Sequence, residues 1–242
     1  MVYAILQNIC CVDYTQKNTF GTLENFASVF AMMRNVSTAL IGLTGGIATG
    51  KTTAAGHLRR LGFEIIDADV LARQVFEKQL GEIQLLFPEV AKRHPEAAHF
   101  RAHLASKIFA EPEARHKLNA FMHPAIRTLM KAQRQRLEAE NVDVVFYDAP
   151  LLFETGGHVF VEATLLVYAP LEMQLKRLML RNAYSREEAL LRIHSQMDIE
   201  SKRQRATWVV ENSGSQEALH QKLDTWVEEE LSAFLFARSQ GL

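Results

Sequence analysis

Cysteine is nearly missing from this 242-residue chain: it has only the neighbours Cys10 and Cys11. Two adjacent thiols cannot staple distant parts of a fold and do not form a spaced metal-binding pattern. That excludes a disulfide scaffold and fits a reducing, cytoplasmic setting. Long hydrophobic runs are missing too, because charged or polar residues interrupt every apolar segment before it reaches the length of a membrane span. Nor does one sign of charge dominate. The 27 Lys and Arg against 28 Asp and Glu leave a formal net charge of -1, which argues against a protein devoted to a polyanion such as nucleic acid. His94, His99 and His103 lack a carboxylate or thiol to complete a zinc set, and they read as solvated surface. The 48% hydrophobic and 23% charged residues describe an ordinary globular domain with a substantial core.

The chain does hold a phosphate-binding loop. Gly45-Gly46-Ile47-Ala48-Thr49-Gly50-Lys51-Thr52 satisfies G-x-x-x-x-G-K-[ST] at every specified position. In that spacing the glycines let backbone N–H groups curl around phosphate oxygens, the Lys51 ammonium reaches the outer phosphates, and the Thr52 hydroxyl is placed to ligate Mg²⁺. The flanks agree with the motif. Ala39 to Thr44 is an apolar run of buried-strand length, and Thr53 to Leu61 reads as a helix closed by Gly62, whose N-terminal dipole favours an anion. Nucleotide contacts are therefore expected from Gly46, Ile47, Ala48, Thr49, Gly50, Lys51, Thr52 and Thr53.

A second strand, Phe63 to Asp69, ends in Asp67 and Asp69. Acids at the carboxyl end of a strand in an open α/β sheet face the ligand crevice, and two apart in extended chain they share one face. Either of them could instead cap a helix beginning near Val70. Residues 70–140 are mostly helical by pattern, with Leu104, Ile108 and Phe109 on one stripe and Pro124 as a first-turn residue of a long helix. They separate the second strand from the third by far more than an ordinary crossover, so they read as an insertion. The third strand, Val142 to Tyr147, runs into Asp148, either a group near the metal or a turn former ahead of Pro150.

Ala163 to Tyr168 and Trp208 to Val210 read as the fourth and fifth strands. Between them lie a helix from Leu171 to about Arg181 and a Ser185/Glu188 capping box opening another. The run from Lys176 to Arg205, Lys202 included, is basic: either a solvated face or an arginine-bearing lid of the kind a kinase closes over the transferring group. Asn212 and Gly214 follow the fifth strand at the crevice edge. The last helix, Ser215 to Arg238, places Trp226 in the core. The fold class is thus α/β, a P-loop NTPase-type parallel sheet flanked by helices with a helical insertion and a helical lid. One domain spans 38–238, with its core in 38–69, 141–180 and 206–238, the insertion in 70–140 and the lid in about 181–205. Residues 1–37 carry no assigned function. Met32 and Met33 are candidate translation starts, which would make the upstream segment an artefact or a disordered extension.

Taken together, the chain resembles the dephospho-coenzyme A kinase family. The residues that carry the likeness are Gly42 through Ile47, Lys51-Thr52-Thr53, Asp67-Ala68-Asp69 with Ala72-Arg73, and His123-Pro124 with Ile126. To these are added Pro150-Leu151-Leu152-Phe153-Glu154, Gln174 through Arg177 with Arg181, and Asn212-Ser213-Gly214. The resemblance implies that ATP with Mg²⁺ phosphorylates the ribose 3′-hydroxyl of dephospho-CoA, the final step of CoA synthesis. It implies that Asp69 is the catalytic base, that Arg73, His123 and Pro150 to Glu154 line the acceptor site, and that Arg181 is a lid arginine; an equal role for His123 is capping the helix at Pro124. The insertion would bind the CoA part. Two departures stand out: Ala48-Thr49, where the family usually has glycine followed by serine or alanine, and Ala206-Thr207, where it has Ala-Asp. No Asn-Lys-x-Asp segment marks a GTPase, and Lys202-Arg203-Gln204-Arg205 is too small a footprint for nucleic acid. A monomer in contact with small-molecule substrates and no membrane is expected.

Overall fold

Ala39–Gly45 forms the central strand β1 in the computed structural model, which describes residues 37–241. All seven of its residues are buried. That is what a parallel strand covered by helices on both faces requires. Strands β3 (Val144–Asp148) and β4 (Ala163–Tyr168) pair with it in parallel, and β5 (Trp208–Glu211) pairs in parallel with β4. With β2 (Glu64–Asp67), the sheet order is β2-β3-β1-β4-β5. The strand order reverses at β1, so its carboxyl end opens the crevice where such sheets bind ligands.

Helix α1 (Lys51–Arg60) follows the loop directly and buries Ala54, Ala55 and Leu58 against the sheet. It begins two residues earlier than the sequence reading placed it. At the other end of the chain Ser215 caps α10 (Gln216–Trp226), as its position before an apolar-periodic run predicts. The single helix expected from Ser215 to Arg238 is interrupted by a π turn, Val227–Leu231, before α11 (Ser232–Ser239). There the Ser232 hydroxyl donates to the Val227 carbonyl at 2.9 Å. Trp226 packs in the core, edge-on to Trp208 at 5.4 Å between ring centroids.

The described residues divide into two compact units, 67–135 forming one and 37–66 with 136–241 the other. The smaller unit holds α2 (Ala68–Lys78), α3 (Leu80–Leu86), α4 (Pro88–Arg93), α5 (Ala97–Ala110) and most of α6 (Pro112–Ala139). Its own core joins Val75, Ile83, Phe87, Phe100, Leu104, Leu118 and Met122. Two expectations fail here. Phe109 is 83% exposed while Leu104 is buried, so the stripe on α5 stops short of Phe109. Pro112, not Pro124, opens the long helix; Pro124 lies inside α6, where buried Leu118, Met122 and Met130 on either side hold the helix together through a residue that breaks its ladder. His94 and His103 stack on each other with centroids 3.4 Å apart, and His99 pairs with Glu96.

In the larger unit, Asn141 at φ 57 turns the chain after α6, which delays the third strand to Val144. After β4 come α7 (Leu171–Asn182), α8 (Arg186–His194) and α9 (Ile199–Arg205). Both limbs of the Ser185/Glu188 capping box are present. Within the basic run Lys202 departs from both sequence readings, since it is wholly buried. Among the described residues no helix is long and apolar enough to cross a membrane. The Cys10-Cys11 pair and the proposed starts Met32 and Met33 lie outside the described residues.

Candidate nucleotide-binding site

The loop leaving β1 is held by its own turns and by two side chains from elsewhere, one of them braced by Arg177. Thr49 is buried and its hydroxyl donates to the Gly46 carbonyl at 2.9 Å, so this departure from the family pattern closes the turn from inside. The Ile47 N–H donates to Gln196 Oε1 at 3.0 Å. Asn212 Nδ2 donates to the Thr49 carbonyl at 2.8 Å, and Asn212 Oδ1 accepts from Arg177 Nη2 at 3.3 Å. Gly50 sits at φ 95, and a Cβ there would lie 2.2 Å from Asn212 Nδ2, so backbone conformation and space both demand glycine. The first N–H groups of α1 have no intrahelical acceptor and present a positive dipole end to the crevice.

Lys51 is ion-paired with Asp148 at the end of β3, and neither side chain is much exposed. A pocket of about 400 Å³ opens over the loop, lined by Gly46, Ile47, Ala48, Gly50, Lys51, Thr52 and Thr53 together with Pro150, Arg177, Arg181 and Gln196. Three cations and no acid line it. Arg177 and Arg181 stand four apart on α7 and therefore share a face. Arg181 is exposed and donates from Nε to Asn182 Oδ1 at 2.9 Å. Arg177 Nη1 is buried without a hydrogen-bond partner in the protein. Thr52 lines the pocket, and the Asp148 carboxylate stands behind it on Lys51.

The two acids after β2 divide their roles. Asp67 caps α2, accepting from the N–H groups of Asp69 at 2.8 Å and Val70 at 3.1 Å. The strand ends at Asp67, so Asp69 lies in the first turn of α2 and the shared extended face expected of the pair does not exist. Asp69 is exposed, and Arg73 stands four residues on along the same helix face, also exposed. His123 lies in mid-helix and cannot cap anything at Pro124. Burial, then the Arg127 charge, hold its imidazole below the usual value.

The segment after β3 serves several ends. Pro150 lines the pocket and Leu151 is exposed. Leu152 is wholly buried, and a Cβ on Gly42 would come 2.5 Å from its Cδ2; Leu152 is therefore a core residue and not a lining one. Glu154 Oε1 pairs with Lys202 Nζ at 2.8 Å. Asn212 spends its side chain on the loop, while Gly214 is exposed beyond it. Thr207, where the family carries an acid, exchanges hydrogen bonds with Thr164 at 2.9 and 3.0 Å and so ties β5 to β4.

Sequence reasoning missed two residues of the pocket. The Arg177/Arg181 spacing on a basic helix was a usable signal for Arg177. Gln196 gave none, since one glutamine in a polar stretch is indistinguishable from surface.

The model of the dephospho-CoA kinase family matches residues 39–218. The dephospho-CoA kinase of Anaeromyxobacter dehalogenans is 43% identical over 188 residues, covering 76% of this chain and 89% of that protein. That of Thermus thermophilus is 44% identical over 186 residues, covering 76% and 88%. Among solved structures, TT1252 from Thermus thermophilus superposes with a TM-score of 0.69 at 42% identity over 80% of this chain and 98% of that one. A dephospho-CoA kinase from Campylobacter jejuni gives 0.63 at 32% identity over 81% and 98%. With its loop, cationic pocket and five-stranded sheet in this order, the chain belongs to the dephospho-CoA kinase family.

Proposed function

We propose that the protein transfers the γ-phosphoryl group of ATP to the ribose 3′-hydroxyl of dephospho-CoA, releasing CoA and ADP. The observation that carries the phosphoryl-transfer part is the pocket over the loop, which Lys51, Arg177 and Arg181 line together with the loop residues Gly46, Ile47, Ala48 and Gly50. The family membership supports the acceptor.

Transfer of this kind is mostly positioning and charge neutralisation. Lys51 leaves Asp148 for the outer phosphates, while Arg177 and Arg181 offset the negative charge that the phosphates carry into the pocket. The Asp69 carboxylate orients the acceptor hydroxyl and takes its proton. As the hydroxyl oxygen bonds to the γ-phosphorus, the bond from that phosphorus to the bridging oxygen breaks and ADP departs with the electron pair. Arg73, His123, Pro150, Leu151 and Glu154 remain the proposed acceptor-side positions. Asn212 and Gly214 remain the nucleotide-side ones, through backbone groups.

Thr52 and Asp148 fit Mg²⁺, which binds a kinase through one or two protein oxygens and keeps water and phosphate for the rest. Bound there, the ion would neutralise phosphate charge.

One assay tests the reading: purified protein with ATP and dephospho-CoA, set against nucleosides and GTP, following ADP and CoA. CoA formation with dephospho-CoA alone is the expected result. Phosphorylation of a nucleoside with dephospho-CoA inert would overturn it.

A further inference from the structure

Lys202 is the one lysine or arginine among the described residues buried to 0%. An ammonium is taken fully out of water only when it is paired, and an apolar side chain of similar size is often the more stable choice. Its hydrogen bonds indicate what it holds. Nζ donates to Glu154 Oε1 at 2.8 Å and to the Pro150 carbonyl at 2.9 Å. The same Pro150 carbonyl accepts from the Thr44 hydroxyl at the end of β1 at 3.3 Å, and the same Glu154 oxygen accepts from the Met197 N–H at 3.0 Å. Met197 directly follows Gln196, whose side chain accepts the Ile47 N–H of the phosphate loop. A continuous set of bonds thus runs from the sheet through Pro150, Lys202 and Glu154 to the turn between α8 and α9, and back to the loop through Gln196.

We propose that the buried Lys202–Glu154 pair anchors this turn and sets Gln196 against the phosphate loop, so that Lys202, Glu154 and Gln196 are positioning residues for the nucleotide. This rests on the reading that the pocket takes ATP. The charge fixes one geometry where an apolar contact would let the turn slide. Each ammonium–oxygen bond is directional, and Glu154 has one oxygen serving both the lysine and the backbone beside Gln196. Loss of either partner frees the turn, and the ordering then has to be met when ATP binds. The expected signature is weaker nucleotide binding with turnover at saturating ATP little changed.

The test measures ATP dissociation constants by calorimetry without acceptor, and KM and kcat with it. Gln196→Ala and Lys202→Met are each expected to raise Kd and KM for ATP about tenfold, with kcat within about threefold of the parent. The double variant is expected to be no weaker than Lys202→Met alone, because both changes act through one element. Glu154→Gln, which keeps an oxygen for the Met197 N–H, is expected to recover most of the affinity lost in Glu154→Ala; this pair carries the test if Lys202→Met does not fold. Parent-like ATP binding by a folded Lys202→Met would overturn the proposal. So would a double variant near a hundredfold weaker, or equal losses in Glu154→Gln and Glu154→Ala. A parent that binds ATP but leaves dephospho-CoA untouched refutes the acceptor assignment and leaves these comparisons intact.

Discussion

Lys51, the first residue of α1, is ion-paired with Asp148, the last residue of β3, and Asp148 stands in register beside Leu43 of β1. The lysine that the loop motif assigns to phosphate is therefore held at the mouth of the pocket by a carboxylate. That carboxylate has two uses. It pairs with the ammonium in this structure, and under the proposed function it would serve as an oxygen donor for Mg²⁺ once the lysine turns to the phosphates. Asp148→Asn removes the charge and keeps the shape. Turnover is expected to fall on the order of a hundredfold, with a higher Mg²⁺ concentration needed for half-maximal rate. A rate that falls with the Mg²⁺ dependence unchanged would confine Asp148 to holding Lys51.

Asp69 makes a different kind of demand. Its neighbour Asp67 caps α2, so Asp69 carries no capping duty. Asp69→Asn is expected to keep ATP binding and lower turnover on the order of a hundredfold or more, as when a positioned base is lost. Calorimetry with ATP and a steady-state assay with dephospho-CoA check the two halves separately. Near-normal turnover would remove Asp69 from the role.

Much of this was legible in the sequence, for reasons that are local. The loop, the buried strand before it and the Ser185/Glu188 capping box are each written in consecutive residues whose chemistry admits one conformation. The failures are tertiary. Nothing in the basic run distinguishes Lys202 from Arg203, because burial of Lys202 depends on Glu154 and Pro150, about fifty residues away in sequence. Leu152 reads as a site residue by likeness and becomes core because Gly42 leaves room for it. Pro124 obeys the helix-start rule in sequence, yet packing on both sides carries α6 through it. The Asp67–Asp69 face was lost to a helix starting one residue after the strand.

Two glycines on either side of Lys51 should respond in opposite senses to the same substitution. Gly50→Ala forces a side chain into a left-handed backbone and against Asn212 Nδ2, so a loss of more than about 1 kcal/mol of stability and of most ATP affinity is expected. Gly56 lies inside α1 with only the end of Arg60 within reach of an added Cβ, at 4.0 Å. Gly56→Ala is expected to stabilise by about 0.5–1 kcal/mol, the helix penalty of glycine. Thermal unfolding of both variants checks this; a destabilised Gly56→Ala would mean that α1 needs its glycine for something other than space.

Acid should loosen the contact between α1 and α10. Arg60 Nη2 lies 3.1 Å from His57 Nδ1 and 3.1 Å from His220 Nε2, and the two rings stack 4.2 Å apart. A guanidinium only donates, so each of those nitrogens must offer a lone pair, while His57 Nε2 donates to Asp224 Oδ1 at 2.6 Å. Burial, then the charges of His57 and Arg60, hold His220 below the usual imidazole value, with Asp224 and Glu217 pulling the other way. His123 and His94 are lowered as well, burial being the first cause in both. A group whose folded value lies below its unfolded value of about 6.5 binds fewer protons when folded, so its contribution is fully present above that pH and is lost as pH falls from there through the folded value. The lowered carboxylates Glu172, Glu187 and Glu217 act in the same direction but only near their own, more acidic range. Asp143, raised by burial, opposes them, while the three lowered histidines favour a loss of stability as pH falls below 6.5. Tm is expected to be flat from pH 8 to 7 and to fall from pH 6.5 to 5, and His220→Gln, which still offers Arg60 an oxygen, should make that fall shallower. An unchanged slope in His220→Gln would move the acid sensitivity to His94 and His123, both in the helical unit.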